Sequence, residues 1–394
     1  MTERDVYLDN AATSWPKPPV VLEAIQEFFA NAGGNVGRAG HRRSIASSRA
    51  VSRARENVAE LLGAGTPDEI IFTKNATEGL NLAILGLTVD GGRVVTTSLE
   101  HNSVMRPLRH LEAHGLAELA IVHADGNTGA IDLDEWAEAL GVSGPCLGVA
   151  THASNVTGVR LPVAELGAIA SRHGAPFVVD ASQSAGHIPL DVSTLHASAV
   201  AMPGHKGLLG PTGTGVCYLA PGVEIEPLIR GGTGSQSELE TQPDFAPDRY
   251  ESGTPNAIGI VGLGASTGYL LETGVDQVEA HLGVLGRRFR SALAEIDGII
   301  IYGPADPAEG VGILSINIEG IPCATVGRLI DDERHVMTRA GLHCSPAAHR
   351  SLGTAPDGTL RFSWGFDTTE EEIDIAVEAL RSVAVGAEPA TVPA

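Results

Sequence analysis

Positive charge is scarce in this sequence: 26 lysines and arginines stand against 48 aspartates and glutamates, a formal net charge of −22. That balance argues against a nucleic-acid partner or broad attraction to anionic lipid, while leaving room for a local basic pocket. Cysteine is also sparse. Cys146, Cys217, Cys323 and Cys344 are scattered without Cys-x-x-Cys spacing, so neither a disulfide framework nor a metal site is expected, and a cysteine of consequence would matter for its reactivity. Long apolar runs are missing too. The most apolar stretch, around Ala257 to Leu271, is interrupted by glycines and too short to span a bilayer, and the mixed-charge start Met1-Thr2-Glu3-Arg4-Asp5 leads into no apolar secretion segment. The expectation is a soluble, cytoplasmic protein with no membrane partner, in which Asn155-Val156-Thr157 matches the glycosylation sequon only incidentally.

What is present is enough material for a core. At 394 residues and 43% hydrophobic, the chain exceeds one compact core and predicts a large domain, a smaller one and a cleft. Short valine- and isoleucine-rich runs alternate with helix-period segments: Ile70 to Thr73, Arg93 to Thr97, Leu119 to His123, Cys146 to Thr151, Phe177 to Asp180 and Ala199 to Met202. That alternation predicts an α/β fold with a mostly parallel central sheet. After about Pro255 the pattern changes to helices over Ile258 to Thr273 and Gln277 to Ile296, a strand-like Gly312 to Ile318 and a last helix from Thr368 to Val385. The resulting division is an N-terminal segment (1–17) packing with the small domain, a large domain (18–256), a linking helix with a smaller α+β domain (257–385) and a frayed tail (386–394).

Three local features suggest chemistry when taken together. Thr73-Lys74-Asn75-Ala76-Thr77-Glu78-Gly79-Leu80 follows a strand and opens a helix with a capping-box-like Asn75-x-x-Glu78, a position suited to phosphate. Phe177-Val178-Val179-Asp180 ends an apolar strand in a carboxylate, where open α/β sheets gather ligands. Pro203-Gly204-His205-Lys206-Gly207 ends another in a lysine between glycines. Alone, these are a well-capped helix, an N-cap acid and a solvent lysine. Combined, they supply what pyridoxal phosphate (PLP) needs: an amine able to form an imine, an anion for the pyridine nitrogen and donors for the phosphate. A nucleotide loop is a poorer reading, because Lys206 is followed by Gly207-Leu208 and Pro211 rather than by Ser/Thr and a helix.

These residues resemble the class V aminotransferase-like PLP enzymes of fold type I, and within them the cysteine desulfurase/selenocysteine lyase group. The resemblance runs from Tyr7-Leu8-Asp9-Asn10-Ala11-Ala12 through Glu100-His101-Asn102-Ser103, Ser154-Asn155-Val156-Thr157-Gly158, Val179-Asp180-Ala181-Ser182-Gln183-Ser184 and Gly253-Thr254-Pro255-Asn256 to Arg339-Ala340-Gly341-Leu342-His343-Cys344. It implies that Lys206 carries the cofactor, Asp180 holds its pyridine nitrogen, His101 stacks on its ring and Gln183 bonds its phenolic oxygen. It further implies that Ala76, Thr77 and His205 hold the phosphate, with Thr254 reaching the phosphate of a neighbouring subunit in a homodimer. Asn155 and Arg361 would bind the substrate carboxylate, a task suited to a planar guanidinium. One departure is Pro203, where the group commonly has serine; proline lacks both hydroxyl and N–H, so one phosphate donor is missing.

Cys344 decides between reactions that share the same cofactor. Gly341-Leu342-His343-Cys344-Ser345-Pro346 reads as a loop, and the resemblance implies that its thiol takes sulfur from L-cysteine as a persulfide, releasing L-alanine for delivery of the sulfur to an acceptor protein in iron-sulfur or other sulfur metabolism. The short Arg-x-Gly-x-His-Cys form resembles the SUF-like, second type of desulfurase, although Gly232 to Ser252 is shorter than usual and Ala347 to Thr354 is divergent. L-selenocysteine is an alternative substrate, and a C–S lyase, epimerase or aminotransferase would retain Lys206 and Asp180 without needing Cys344.

Overall fold

The computed structural model describes residues 5–37, 40–236 and 238–386; of the tail assigned to 386–394, all but Gly386 lies outside them. The large sheet has seven strands in the spatial order Ile70–Thr73, Gly215–Leu219, Ala199–Pro203, Phe177–Asp180, Cys146–Thr151, Gly92–Thr97 and Ala117–Val122. The last five of that order run parallel, and Gly215–Leu219 is antiparallel to both neighbours. Period-two patterning explains the layering: Phe177 and Val179 join one core and Val178 the other, as Val200 and Met202 part from Ala199 and Ala201. Helices Ala76–Leu87 and Asn102–Ala113 cover one face, while Arg42–Leu62, Leu133–Leu140 and Val163–Arg172 belong to the core on the other. A parallel sheet needs this cover on both faces. The antiparallel strand was not among the sequence-predicted runs, because the glycine-rich approach Gly210 to Gly215 hides a run of only five residues.

The smaller sheet has the order Arg339–Gly341, Thr359–Ser363, Ile313–Ile318 and Ile299–Tyr302, antiparallel throughout. Phe289 packs edge-on against Phe362 and Trp364 behind it. The apolar helix Ala257–Thr273 meets the next helix, Val275–Leu293, at a 79° bend. Gly274 makes that turn at φ +86°, a conformation glycine adopts without penalty. No single helix among the described residues is long and apolar enough to cross a membrane. Val6–Tyr7 pairs in parallel with Val336–Met337, and Asn10 donates to the Ser363 carbonyl, which ties the N-terminal segment to the smaller sheet. The same segment then crosses to the large domain, where Thr13, Ser14 and Lys17 all donate to the carbonyl of His205. Between Gly232 and Ser252 the described residues form turns and bends rather than a strand pair.

Candidate active site

Three parallel strands end together at the site. Thr151 and Asp180 are paired across neighbouring strands, Asp180 in turn faces Ala201, and Lys206 follows three residues after Pro203 ends that third strand. The turn carrying Lys206 needs its glycines for space: a Cβ on Gly204 would collide with Thr214 Oγ1, and one on Gly207 with the carbonyl of Ala185. Around this turn lies a pocket of about 480 Å³ lined by Ala76, Thr77, His101, Ser103, Asn155, Asp180, Gln183, Pro203, His205 and Lys206, among others. Burial pulls the Lys206 amine down to about 8; the Asp180 carboxylate opposes that shift, and the Arg361 and Arg339 guanidiniums add to it.

The walls are polar and specific. His101 caps the helix Asn102–Ala113, its Nδ1 accepting the Ser103 N–H at 3.0 Å. That bond places the ring proton on Nε2 in the neutral ring. Burial keeps the ring neutral by lowering it to about 4, against the pull of Asp180. Asn75 caps the helix Ala76–Leu87 through the Glu78 N–H at 2.9 Å, while Glu78 itself reaches the Lys74 N–H. The N–H groups of Ala76 and Thr77 therefore stand at the helix end without intrahelical acceptors. Thr77 Oγ1 meets Ser103 Oγ at 2.8 Å. Ser103, not picked out from the sequence as a site residue, thus adds a hydroxyl to a wall where Pro203 contributes none.

Glu100, next to His101, is a second residue the sequence reading passed over. It is fully buried, with Oε1 accepting from Thr97 Oγ1 at 2.7 Å and from the Thr151 N–H at 2.9 Å, while Oε2 has no partner among the described residues. Burial drives its carboxyl up to about 8; the hydrogen bonds from Thr97 and Thr151 resist that shift, and the nearby charge of Asp180 reinforces it. The motif signalled the residue without signalling that it turns inward.

The expected carboxylate-binding pair occupies two depths. Asn155 lines the pocket, yet its Nδ2 donates to the His343 carbonyl at 2.7 Å and its Oδ1 accepts from Ser345 Oγ at 2.6 Å. Arg361 is 1% exposed and lies one residue behind, its Nη1 donating to the Asn155 carbonyl and its Nη2 paired with Asp9 at 2.7 Å. Its Nε is buried without a partner among the described residues. Thr254 is not brought to this pocket; it is exposed and lines a separate one with Lys74, Glu78 and Asn256.

Cys344 is exposed, in contrast to Cys217, whose thiol burial pushes up to about 12. His343 and Cys344 hold φ values of +50° and +58°, a left-handed conformation costing about 1 to 2 kcal/mol per non-glycine residue. The loop is nevertheless pinned to the pocket walls, because the Cys344 carbonyl accepts the Asn102 N–H at 2.8 Å and the His343 carbonyl accepts from Asn155. Arg339 Nη2 lies 3.9 Å from the Cys344 sulfur, a donor that no feature of the sequence motif singles out.

The pocket's unmet polar groups can be tested against PLP. Among the described residues, Gln183 Oε1 and His205 Nδ1 are buried without partners, the Asp180 carboxylate is 2% exposed in the wall, and the helix end at Ala76 and Thr77 offers N–H donors. Orphaned buried polar groups are costly unless a ligand engages them. A phosphate for the helix-end N–H groups and His205, a protonated ring nitrogen for Asp180 and a ring hydroxyl to donate to Gln183 Oε1 are the partners this set lacks, the Gln183 Nε2 being taken by the Ala11 carbonyl, and the residues fit the cofactor.

Comparison with known proteins agrees with that chemistry. The Aminotransferase class-V family model matches residues 6–375. A probable cysteine desulfurase of Methanothermobacter thermautotrophicus is 36% identical, over 96% of this chain and 94% of its own length. A cysteine desulfurase of Haloferax volcanii is 34% identical, over 95% and 88%. Among solved structures, the apo cysteine desulfurase of Thermococcus onnurineus is similar with a TM-score of 0.90 and 35% identity, covering 97% of this chain and 95% of that one. The S-sulfonic acid form of an Escherichia coli cysteine desulfurase has a TM-score of 0.85 at 28% identity, with 97% and 95% covered.

Proposed function

The chain belongs to the class-V aminotransferase family, in its cysteine desulfurase group, and from that premise we propose that it is a PLP-dependent cysteine desulfurase converting L-cysteine to L-alanine, with sulfur held as a persulfide on Cys344. The observation that carries this reading is the tethering of the exposed Cys344 loop to two residues of the Lys206 pocket wall and its capping helix, through Asn155 and Asn102. The loop that bears the thiol is thereby held against the wall of the pocket that contains the Lys206 amine.

Bound at Lys206, PLP supplies an electron sink for the substrate amino group and α-carbon. Asp180 would hold the ring nitrogen in its charged form, an electrostatic task suited to a buried carboxylate. His101 would cover the ring face as a neutral imidazole, and Gln183 would meet the ring oxygen. Lys206, with its amine lowered to about 8, keeps an appreciable neutral fraction near pH 7 and can accept the substrate proton and return it. Cys344 Sγ, as thiolate, would attack the substrate sulfur; the S–S bond forms as the Cβ–S bond breaks, and Cβ takes up a proton to complete alanine. Arg361 would act on the substrate carboxylate through Asn155 or by giving up its contacts there. Thr254, outside the pocket of its own chain, would serve a neighbouring subunit in a homodimer, and the exposure of Cys344 suits handover to an acceptor protein.

The test is incubation of the PLP-loaded protein with L-cysteine and a reductant, measuring alanine and sulfide. Equal amounts of both are expected, and both should disappear in Cys344→Ser. Alanine release at wild-type rate in Cys344→Ser would exclude the persulfide route and favour selenocysteine lyase-like chemistry, whereas pyruvate in place of alanine would mark direct elimination.

A further inference from the structure

Behind Cys344 runs a buried chain of side chains that the reaction above does not use. His343 Nε2 meets the Arg339 carbonyl at 3.0 Å, His343 Nδ1 meets His349 Nε2 at 3.2 Å, and His349 Nδ1 meets Thr354 Oγ1 at 2.7 Å. The two imidazoles stack, with centroids 5.4 Å apart and planes 29° off parallel. His343 is 3% exposed, His349 fully buried and Thr354 8% exposed.

One end of this chain fixes every proton in it. A carbonyl only accepts, so His343 Nε2 carries the hydrogen; its Nδ1 is then the acceptor in a neutral ring, and His349 Nε2 must donate. His349 Nδ1 in turn accepts from the Thr354 hydroxyl. Burial lowers His343 to about 3 and His349 to about 4, so both rings remain neutral over the working range and the direction is not scrambled by protonation. The bonds run from Thr354 through His349 and His343 to the carbonyl of Arg339, the residue whose guanidinium faces the Cys344 sulfur.

We propose that His349 is a positioning residue for sulfur transfer: through His343, and with Thr354 donating to its Nδ1, it holds the left-handed His343–Cys344 pair and presents the Cys344 thiol to the substrate sulfur. The geometry explains how two consecutive non-glycine residues keep positive φ. The carbonyl of His343 is held by Asn155 and that of Cys344 by Asn102, while the His343 ring is anchored inward by His349. Removing that anchor leaves the left-handed pair without its inner support, and the thiol becomes loose rather than absent.

The inference rests on Cys344 being the sulfur acceptor, and its test has an arm that does not need that chemistry. In the full-length, PLP-loaded protein, iodoacetamide modification of the Cys344-containing peptide is followed by mass spectrometry. In His349→Ala the rate should rise about fivefold as the loop loosens, and in His349→Gln, which keeps an N–H donor near Nε2, it should return to within about twofold of wild type. Alanine formation from cysteine should fall about tenfold in kcat for His349→Ala, with KM within about twofold, and Gln should restore most of it. Thr354→Val, which removes only the hydroxyl, should shift both readouts in the same direction by a smaller factor and serves if His349→Ala does not fold. Unchanged alkylation in His349→Ala, or in Thr354→Val where that variant replaces it, overturns the proposal, as does equal loss in His349→Ala and His349→Gln. A wild-type protein that released no alanine would instead count against the desulfurase reading, with the alkylation arm still deciding the role of His349.

Discussion

Lys206 follows a strand whose five residues are all buried, in a turn where glycines leave no room for another arrangement. Cys344 sits between a three-residue strand and a six-residue helix, exposed and in a left-handed pair held by hydrogen bonds from other elements. The difference follows from what each group must do. An amine that anchors a cofactor gains from a position that cannot move, and the end of a packed sheet provides one. A thiol that must receive sulfur and then give it up needs access, so it is carried on a loop whose conformation depends on polar contacts that can be broken singly.

The two halves should therefore fail separately. Lys206→Ala has the largest expected effect: alanine formation should fall by at least about 10³-fold, and borohydride should no longer fix a chromophore to the chain, while the rate of Cys344 alkylation should stay within about twofold of wild type. Cys344→Ser should show the converse, losing persulfide and alanine while retaining the full cofactor spectrum. A Lys206→Ala variant whose Cys344 alkylation changed tenfold would break the comparison, since the loop would then depend on the occupied floor.

A smaller effect tests the replacement of the missing hydroxyl at Pro203. Ser103 lines the pocket, contacts Thr77 Oγ1 and donates its N–H to His101. Ser103→Ala keeps that N–H and removes only the hydroxyl, so PLP affinity should fall about three- to tenfold, as for loss of one ordinary hydrogen bond of about 0.7 to 1.4 kcal/mol. Equilibrium dialysis or absorbance titration of the apo protein with PLP measures it. Identical affinities in the variant and wild type would leave the helix end at Thr77 and His205 to hold the phosphate without a replacement hydroxyl.

How much of this was legible depended on whether the signal was local. Period two along Phe177 to Asp180 and Ala199 to Pro203 put a carboxylate and a lysine at adjacent strand ends, and the structure brings both into one pocket. The exposed loop at Cys344 could be read from its glycine and proline neighbours. Tertiary contacts had no such trace. The pairing of Arg361 with Asp9 spans nearly the whole chain, and the engagement of both ends of the Asn155 amide by the cysteine loop could not be inferred from either segment alone. His349 lies six residues from His343 and on another element, so no short-range pattern announces their bond. The burial of Glu100 belongs to the same class, because a charged residue at a helix approach ordinarily faces water.

Glu100 yields a prediction on stability rather than on activity, and a check on the rigid half. Its carboxyl is raised from 4.5 to about 8 on folding, so between those values the native state holds a proton that the unfolded chain has released. Stability must then fall as pH rises through that interval and level off above it, because the folded state binds more protons than the unfolded one. Glu100→Gln removes the ionisation while keeping a group of similar shape, so its stability relative to wild type should increase with pH, at up to about 1.4 kcal/mol per unit. Urea unfolding of both proteins at several pH values between 5 and 8 measures the slope. A constant difference would mean that Glu100 is charged in the folded protein, and that the floor beneath His101 tolerates a buried anion beside Asp180. A rising difference would mean that the floor is built around a neutral acid, leaving Asp180 as the charge available to the cofactor nitrogen.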